Sequence, residues 1–200
     1  MQGDGVAGSE RYVGRGGEKL KFAIERLGLD LRGLTAADLG CNIGGFTDCM
    51  LQEGAVRVYA VDTGYGMLAW KLRQDPRVVV MERTNAMHAR LPERVGVVSV
   101  DVGWTRQRHI LPNALALCAP EGAVLSLFKP QYEAERAQVR RGKIKEEEFE
   151  PVLAATLAGL AEMGIAVRDV VRLSQERKHK NPEAILYVRA AECHLPAEAR

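Results

Sequence analysis

The sequence predicts an α/β fold with a seven-stranded, mostly parallel sheet whose last strand runs antiparallel. Short apolar runs, many of them β-branched, alternate along the chain with helix-like segments. Near-continuous apolar strands joined by helices are typical of a parallel sheet covered on both faces. Only residues 174–183 separate the last two runs. Because this is too short for a helical crossover, that pair is predicted to be antiparallel.

Each element is predicted from its own residues. Apolar runs that end at glycine or at polar and charged residues predict strands, in the order Ala36–Leu39, Val56–Val61, Val78–Met81, Val95–Val102, Ala123–Phe128, Ala166–Leu173 and Ala184–Ala190. The segments between them predict helices, in the order Gly17–Leu27, Phe46–Glu53, Met67–Gln74, Ile110–Cys118 and Glu147–Met163. The charged stretch Glu133–Glu148 is predicted to be a connection or a helix entry.

Length and composition indicate one folded domain. The 200 residues are 46% hydrophobic and 27% charged, which is ordinary for a globular chain and excludes wholesale disorder. No apolar run approaches the roughly 20 residues of a membrane-spanning helix, and the glycine-rich, acidic N-terminus does not resemble a secretory signal. We expect a cytoplasmic protein with a disordered segment over residues 1–11, a folded domain over 12–192 and a flexible tail over 193–200.

The four cysteines are not spaced as a metal site or a disulfide framework. None forms a CxxC pair, and no histidine lies at metal-ligand spacing from them. We therefore expect small buried apolar residues at Cys41, Cys49, Cys118 and Cys193.

Basic residues are clustered although the net charge is only +2. The clusters are Arg136, Arg140, Arg141, Lys143 and Lys145; Arg11, Arg15, Lys19 and Lys21; and Arg172, Arg177, Lys178 and Lys180. If they meet on one face, they could neutralise the phosphates of a nucleic acid. Solvated loops and helix flanks explain them equally well.

A glycine-rich loop follows the first predicted strand. Gly40, Gly44 and Gly45 allow a tight turn and close approach to a ligand before a helix N-terminus. The GxxxGG spacing is neither the dinucleotide fingerprint GxGxxG nor a P-loop. Asp38, just before the loop, is placed to accept a hydrogen bond from an amine-bearing ligand.

The second predicted strand ends in Asp62. An acid at this position is placed to bind ribose hydroxyls, although it could also merely cap the next helix. Together with the glycine-rich loop, Asp62 favours a cofactor that carries a nucleoside.

Two further ionisable residues end the fourth and fifth predicted strands, namely Asp101 and Lys129. Ligands of open α/β sheets bind beyond the carboxyl ends of the strands, so both side chains should face the cofactor cleft. A lysine that ends an apolar run is costly to bury without a partner or a task. An exposed ion pair with any nearby acid is the simpler alternative.

Six segments resemble the TlyA-type branch of FtsJ-like RNA methyltransferases, whose members often carry the name hemolysin. These segments are Tyr12–Leu20, Gly44–Cys49, Val58–Gly66, Leu68–Arg73, Glu82–Asn85 and Lys129–Glu133. The resemblance extends from Tyr12 to Ala190. It implies the Rossmann-like class I methyltransferase fold. Seven strands with an antiparallel final hairpin are also typical of that fold.

The resemblance implies that S-adenosylmethionine is used to methylate ribose 2′-hydroxyls of RNA, with ribosomal RNA expected. It implies a catalytic set of Lys19, Asp101, Lys129 and Glu183. It also implies cofactor contacts from Asp38, Gly40, Gly44, Gly45, Phe46, Asp62, Asn85 and Asp101. To act as a base Lys129 must be neutral, which a nearby Lys19 cation favours and Asp101 opposes.

Three departures from the family pattern bear on the substrate. Members usually begin with a small RNA-binding module, whereas eleven residues precede Tyr12 here; either the sequence is trimmed, or the chain uses its own basic surface or a partner. Gly103 and Trp104 replace Ser-Phe after Asp101, and Trp104 is expected to stack on a base or the cofactor, or to pack. The stretch after Glu133 is rich in Arg, Lys and Glu instead of glycine.

Other functions remain open at this point. The departures allow a homologue that binds RNA without methylating it, and fold alone does not exclude a methyltransferase of small molecules or proteins. A membrane-active cytolysin is suggested only by the hemolysin name, since the sequence holds no strong amphipathic helix with a basic face.

Overall fold

The computed structural model describes residues 11–173 and 181–195. Its centre is a seven-stranded sheet with the order β3-β2-β1-β4-β5-β7-β6. All neighbours pair in parallel except β7, which is antiparallel to both β5 and β6. The predicted α/β class, the seven strands and the antiparallel final pair are confirmed. The predicted disorder of residues 1–10 and 196–200 lies outside the described residues.

The strands are β1 (Thr35–Leu39), β2 (Arg57–Val61), β3 (Val78–Met81), β4 (Val95–Val100), β5 (Cys118–Phe128), β6 (Val167–Arg172) and β7 (Ala184–Arg189). The helices are α1 (Gly16–Leu27), α2 (Gly45–Gln52), α3 (Trp70–Arg73), α4 (Gln107–Leu117), α5 (Pro130–Glu133) and α6 (Phe149–Glu162). Short 3₁₀ turns cover Ala86–His88, Arg136–Gln138, Glu146–Glu148 and Ala190–Glu192.

Two apolar layers cover the sheet. One face packs under α1, α2 and α3, through residues such as Leu20, Met50 and Leu72. The other packs under α4 and α6, through residues such as Leu111 and Phe149. Burial on both faces explains why the central strands are largely apolar, whereas the edge strands β3 and β6 are more exposed.

Helix α1 shows how sequence sets the ends of an element. Leu20, Ala23 and Ile24 repeat at helical spacing and are buried. Gly28 then takes a left-handed conformation with φ of 63°. The Gly28 and Leu29 amides donate to the last-turn carbonyls of Glu25 and Ile24, so the helix ends there.

Several boundaries differ from the sequence predictions. Strand β4 ends at Val100 because the chain turns into the loop of Asp101, and β5 begins at Cys118 rather than Ala123. The predicted helix Met67–Gln74 shrinks to Trp70–Arg73. The single turn of α5 was not predicted. The stretch Glu133–Glu148 is a connection, with two 3₁₀ turns and a short hairpin.

Cys41, Cys49 and Cys118 are buried and Cys193 is partly buried, and all four are free thiols.

At the start of the expected flexible tail, the His194 amide donates to the Gly164 carbonyl at 2.8 Å. The described chain therefore remains attached to the domain at least to this residue.

The segment before α1 is packed into the core. Tyr12 is buried and its ring lies against Gly17, where a Cβ atom would be 2.3 Å from the Tyr12 Cγ. The Val13 amide donates to the carboxylate of Asp48 on α2 at 2.9 Å. The segment thereby fixes the position of α1 against α2.

We predict that Gly17→Ala lowers the free energy of unfolding by about 1–3 kcal/mol, because the added methyl group overpacks the Tyr12 contact. Urea denaturation measures the change. Gly159→Ala in α6 is the matched control, since a Cβ there meets open space and alanine is favoured over glycine by about 1 kcal/mol in a helix. Equal stability of Gly17→Ala and the wild type would show that the contact is not tight.

Candidate active site

A cavity of about 390 Å³ lies at the carboxyl ends of β1, β2 and β4. This volume is within the ~300–1,000 Å³ of small-molecule sites. Its lining includes four of the predicted cofactor residues, which are Gly40, Asp62, Asn85 and Asp101. It also includes residues that were not predicted: Asn42, Thr63, Gly64, Met67, Ala86, Met87, Val102, Gly103 and Thr105.

Asp62 ties together the two loops that form one wall of the cavity. One carboxylate oxygen accepts from the Asn42 amide at 2.8 Å, and the other accepts from the Gly64 amide at 2.7 Å. Each oxygen keeps a second lone pair, so the partly exposed carboxylate can still accept from ribose hydroxyls. Asp62 is therefore both a loop clamp and an acceptor that faces the cavity.

Gly40 brings the backbone close to Asp101. Its φ is 88°, and a Cβ atom would lie 2.5 Å from the Asp101 carbonyl oxygen. The Gly40 amide donates to the Val61 carbonyl at 2.8 Å, and the Asp101 amide donates to the Leu39 carbonyl at 2.9 Å. Only glycine fits here, and the cavity floor is consequently formed by backbone.

Asp38, which the sequence places to accept from an amine-bearing ligand, lies outside the cavity lining. Its side chain is fully buried, and its two oxygens accept from the hydroxyls of Thr47 at 2.7 Å and Ser99 at 2.9 Å. Burial raises the pKa of Asp38 to about 6, although the hydroxyl hydrogen bonds lower it. The carboxyl group instead joins β1, β4 and α2 beneath the glycine loop.

Three other predicted cofactor residues, Gly44, Gly45 and Phe46, also lie outside the cavity lining. A Cβ on Gly44 would be 2.3 Å from Leu72 in α3, and one on Gly45 would be 3.0 Å from the Gly14 carbonyl oxygen. Phe46 is buried in the core. These residues, for which the family resemblance implies cofactor contacts, pack the loop against its neighbours in the structure.

Lys129 and Asp101 form an ion pair beside the cavity. The Lys129 ammonium also donates to the Val102 carbonyl at 3.4 Å. Strands β4 and β5 pair in parallel with Val100 opposite Ser126, so their ends bring the two side chains to one edge. Both side chains are partly exposed, which leaves their polar ends within reach of a substrate.

Lys19 and Glu183 form a second ion pair at 2.5 Å, between α1 and the residue before β7. Because Phe128 pairs with Ala184 across β5 and β7, Glu183 follows the register to a place opposite Lys129. The structure thus gathers all four predicted catalytic residues at one edge, as two lysine–carboxylate pairs.

An aromatic pair stands at the rim. The Trp104 side chain is 90% exposed, its φ is 58°, and its ring centroid is 5.3 Å from that of Tyr132. The Lys129 ammonium lies 5.9 Å from the Tyr132 ring centroid. Trp104 is thus displayed to solvent beside Lys129 instead of packing in the core.

Helix α5 is anchored beneath this rim. The Glu133 carboxylate accepts from the Gln107 amide at the start of α4, at 2.6 Å. The Gln107 side chain in turn donates to the Leu127 carbonyl and accepts from the Ser126 hydroxyl. Burial raises the pKa of Glu133. This network fixes the chain directly after Lys129, and sequence reasoning missed it because its members are distant along the chain.

We predict that Asp38→Asn removes a pH-dependent part of the stability. The pKa of Asp38 rises from 3.8 to about 6 on folding, so the folded protein keeps a proton that the unfolded chain releases, and stability falls as pH rises from about 4 to 6. The loss amounts to about 3 kcal/mol at 1.36 kcal/mol per pKa unit.

Urea denaturation between pH 3.5 and 7.5 measures this difference. Asp30→Asn is the control, because Asp30 is exposed and Arg32 holds its carboxyl pKa at about 2. Between pH 4 and 6 the control is expected to keep the wild-type dependence of the free energy of unfolding on pH. Asp38→Asn is expected to lose the part of that dependence that Asp38 contributes. A wild-type slope in Asp38→Asn would overturn the assignment.

The chain is similar in sequence to known methyltransferases. The FtsJ-like methyltransferase family model matches residues 12–178. Over 144 residues the chain is 40% identical to the 16S/23S rRNA (cytidine-2'-O)-methyltransferase TlyA of Mycobacterium tuberculosis, covering 70% of this chain and 53% of that protein. It is 38% identical to Hemolysin A of Brachyspira hyodysenteriae over 67% of this chain and 58% of that protein. The chain thus spans little more than half of either relative.

Solved structures agree with the fold. A Lactococcus lactis protein provisionally named a hemolysin is 35% identical, with a TM-score of 0.84 over 94% of this chain and 93% of that one. A Burkholderia thailandensis N-methyltransferase with bound S-adenosylhomocysteine shares the fold alone, at 19% identity and a TM-score of 0.58, over 88% of this chain and 76% of that one. Among the described residues no helix is both long and apolar enough to cross a bilayer. The chain belongs to the FtsJ-like methyltransferase family.

Proposed function

We propose that this protein transfers a methyl group from S-adenosylmethionine to a ribose 2′-hydroxyl of ribosomal RNA. The observation that carries the proposal is the pair of lysine–carboxylate contacts, Lys129 with Asp101 and Lys19 with Glu183, at one edge of the sheet beside the cavity. The names of the M. tuberculosis relative and the family give the reaction class.

The cavity residues fit the proposed cofactor. The Asp62 carboxylate suits ribose hydroxyls, and Met67, Ala86 and Met87 offer an apolar surface for a purine ring. The backbone floor at Gly40 allows close approach. We assign cofactor contacts to Gly40, Asp62, Asn85 and Asp101, and to the newly found Asn42.

The four ionic side chains have separate tasks. S-adenosylmethionine, when bound, supplies a methyl group already activated by its sulfonium, so the protein's work is to align the hydroxyl and ease the loss of its proton. Lys129 lies nearest this hydroxyl. Once its ammonium has released a proton to solvent, the neutral amine accepts the hydroxyl proton. Asp101 and the Val102 carbonyl hold its amine in place, while Glu183 holds Lys19.

The rim suits single-stranded RNA. Aromatic rings that face solvent stack on nucleobases in many single-strand binders, each contributing about 1–3 kcal/mol. Trp104, backed by Tyr132, offers such a ring beside Lys129. We therefore assign to Trp104 the stacking role considered from the sequence. Of the basic cluster at the chain's end, Arg177, Lys178 and Lys180 lie outside the described residues.

We predict that Lys129→Ala lowers kcat for methyl transfer by about 10²–10⁴-fold, the usual contribution of a general base. Lys129→Arg loses activity similarly, because a guanidinium keeps its proton. Transfer of radiolabelled methyl groups to unmethylated 16S and 23S rRNA and to intact subunits is the measurement. Lys21→Ala is the control, since the Lys21 side chain is as exposed as that of Lys129, at 16%, and also pairs with a carboxylate, that of Glu53.

Retained activity in Lys129→Ala would refute the assigned role. Absence of methyl transfer by the wild type to every RNA tested, together with salt-sensitive RNA binding, would favour a homologue that binds RNA without methylating it.

A further inference from the structure

A short basic hairpin projects from the connection between α5 and α6. Arg140 and Lys143 exchange backbone hydrogen bonds at 2.8 and 3.0 Å. The two residues at its tip, Arg141 and Gly142, have φ values of 51° and 74°, as in a type I′ turn. Arg140, Arg141 and Lys143 are exposed, so three cations share one tight turn.

The three hairpin cations differ from the basic residues around them. Lys145 pairs with Glu147, and Arg172 pairs with Glu146 and Glu150. Within residues 11–173 and 181–195, none of the three hairpin cations forms an ion pair. Cations that stand unpaired on a fixed turn can contact phosphates without first breaking a salt bridge.

The side chain of Asn181 holds the hairpin from the other side. Its oxygen accepts from the Ile144 amide at 3.0 Å, and its nitrogen donates to the Gly142 carbonyl at 2.9 Å. Ile144 is buried, which anchors the base of the hairpin. A non-glycine residue at positive φ, here Arg141, persists where the surroundings hold it, and Asn181 supplies that restraint.

The same segment reaches the catalytic pairs. Asn181 is two residues before Glu183, which pairs with Lys19, and two residues span at most about 7 Å. The hairpin is thus tied by a short, partly buried link to the edge where the four ionic side chains meet.

We propose that the hairpin of residues 140–143 grips the phosphate backbone of the substrate RNA, and that Asn181 is a positioning residue that sets its place relative to the Glu183–Lys19 pair. This inference rests on the proposed function, because it takes RNA as the substrate. Recognition is through phosphate charge, so the hairpin contributes affinity and placement but no base specificity.

The first test removes the three charges in Arg140→Ala/Arg141→Ala/Lys143→Ala. Arg26→Ala/Arg32→Ala/Arg94→Ala is matched in net charge and removes exposed arginines from the opposite edge of the sheet, where the strands begin. Fluorescence anisotropy with a labelled 30-nucleotide stem-loop, whose loop carries unpaired cytidines, gives Kd from 50 to 200 mM KCl.

The hairpin variant is expected to bind about tenfold or more weakly, with a slope of log K against log salt that is reduced by about 2, since each single-strand phosphate contributes about 0.7. The control variant stays close to the wild type. Wild-type affinity and slope in the hairpin variant, or an equal loss in the control, would overturn the proposal.

Kinetics separate this inference from the proposed function. The hairpin variant raises KM for RNA and leaves kcat and S-adenosylmethionine affinity unchanged, whereas Lys129→Ala lowers kcat. If the wild type transfers no methyl group, the proposed function fails, but the salt slope still decides whether the hairpin binds RNA. A lower kcat with unchanged KM in the hairpin variant contradicts a gripping role.

Asn181→Ala tests the positioning role while all three cations remain. Trypsin is expected to cut faster after Arg141 and Lys143, because the hairpin loses two hydrogen bonds, and KM for RNA is expected to rise. Tryptic cleavage and KM that both match the wild type would show that Asn181 does not position the hairpin. Faster cleavage with an unchanged KM would show that Asn181 is only structural.

Discussion

The register of the central strands places the functional side chains. Strands β1, β4, β5 and β7 are paired so that Gly40, Asp101, Lys129 and Glu183 all reach one edge. A shift of one residue in any of these strand pairings would point the side chains of the shifted strand to the opposite face of the sheet. Side-chain packing in the two apolar layers and the buried hydrogen bond from Ser99 of β4 to Asp38 of β1 favour this register. The core therefore sets the geometry of the candidate active site. The same constraint explains why Gly40 must accept the close approach of the Asp101 carbonyl.

Beneath the site, buried polar groups join elements that are remote along the chain. Asp38 accepts hydrogen bonds from Thr47 and Ser99. The Gln107 side chain bonds to Ser126 and to the Leu127 carbonyl, and its backbone amide donates to Glu133 in α5. Unpaired buried polar groups are costly, so such networks favour one arrangement of the strands over others. The exposed rim has different chemistry, with an aromatic pair, two lysine–carboxylate pairs and a basic hairpin. We propose that cofactor chemistry and RNA contact take place at adjoining parts of this edge.

The sequence predicts most of the fold, because apolar runs report burial directly. It also predicts the positions of Asp62, Asp101 and Lys129, since ligands of an open α/β sheet bind where its buried strands end. It does not predict the burial of Asp38, whose partners are 9 and 61 residues away. The Lys19–Glu183 pair spans 164 residues and was expected only through the family resemblance. The hairpin is not predicted because Arg141 takes a conformation that is rare for a residue other than glycine. In addition, the side chain that holds the hairpin in place, Asn181, is distant along the chain.

Titration calorimetry with S-adenosylmethionine on the wild type and on Asp62→Ala tests the central claim most directly. We predict micromolar binding by the wild type and at least about tenfold weaker binding, or about 1.4 kcal/mol, in the variant, since Asp62 both faces the cavity and holds the Asn42 and Gly64 amides. Asp30→Ala, at an exposed turn away from the cavity, is expected to bind as the wild type does. Absence of binding by the wild type, or equal binding by Asp62→Ala, would contradict the assignment of the cavity as the cofactor site.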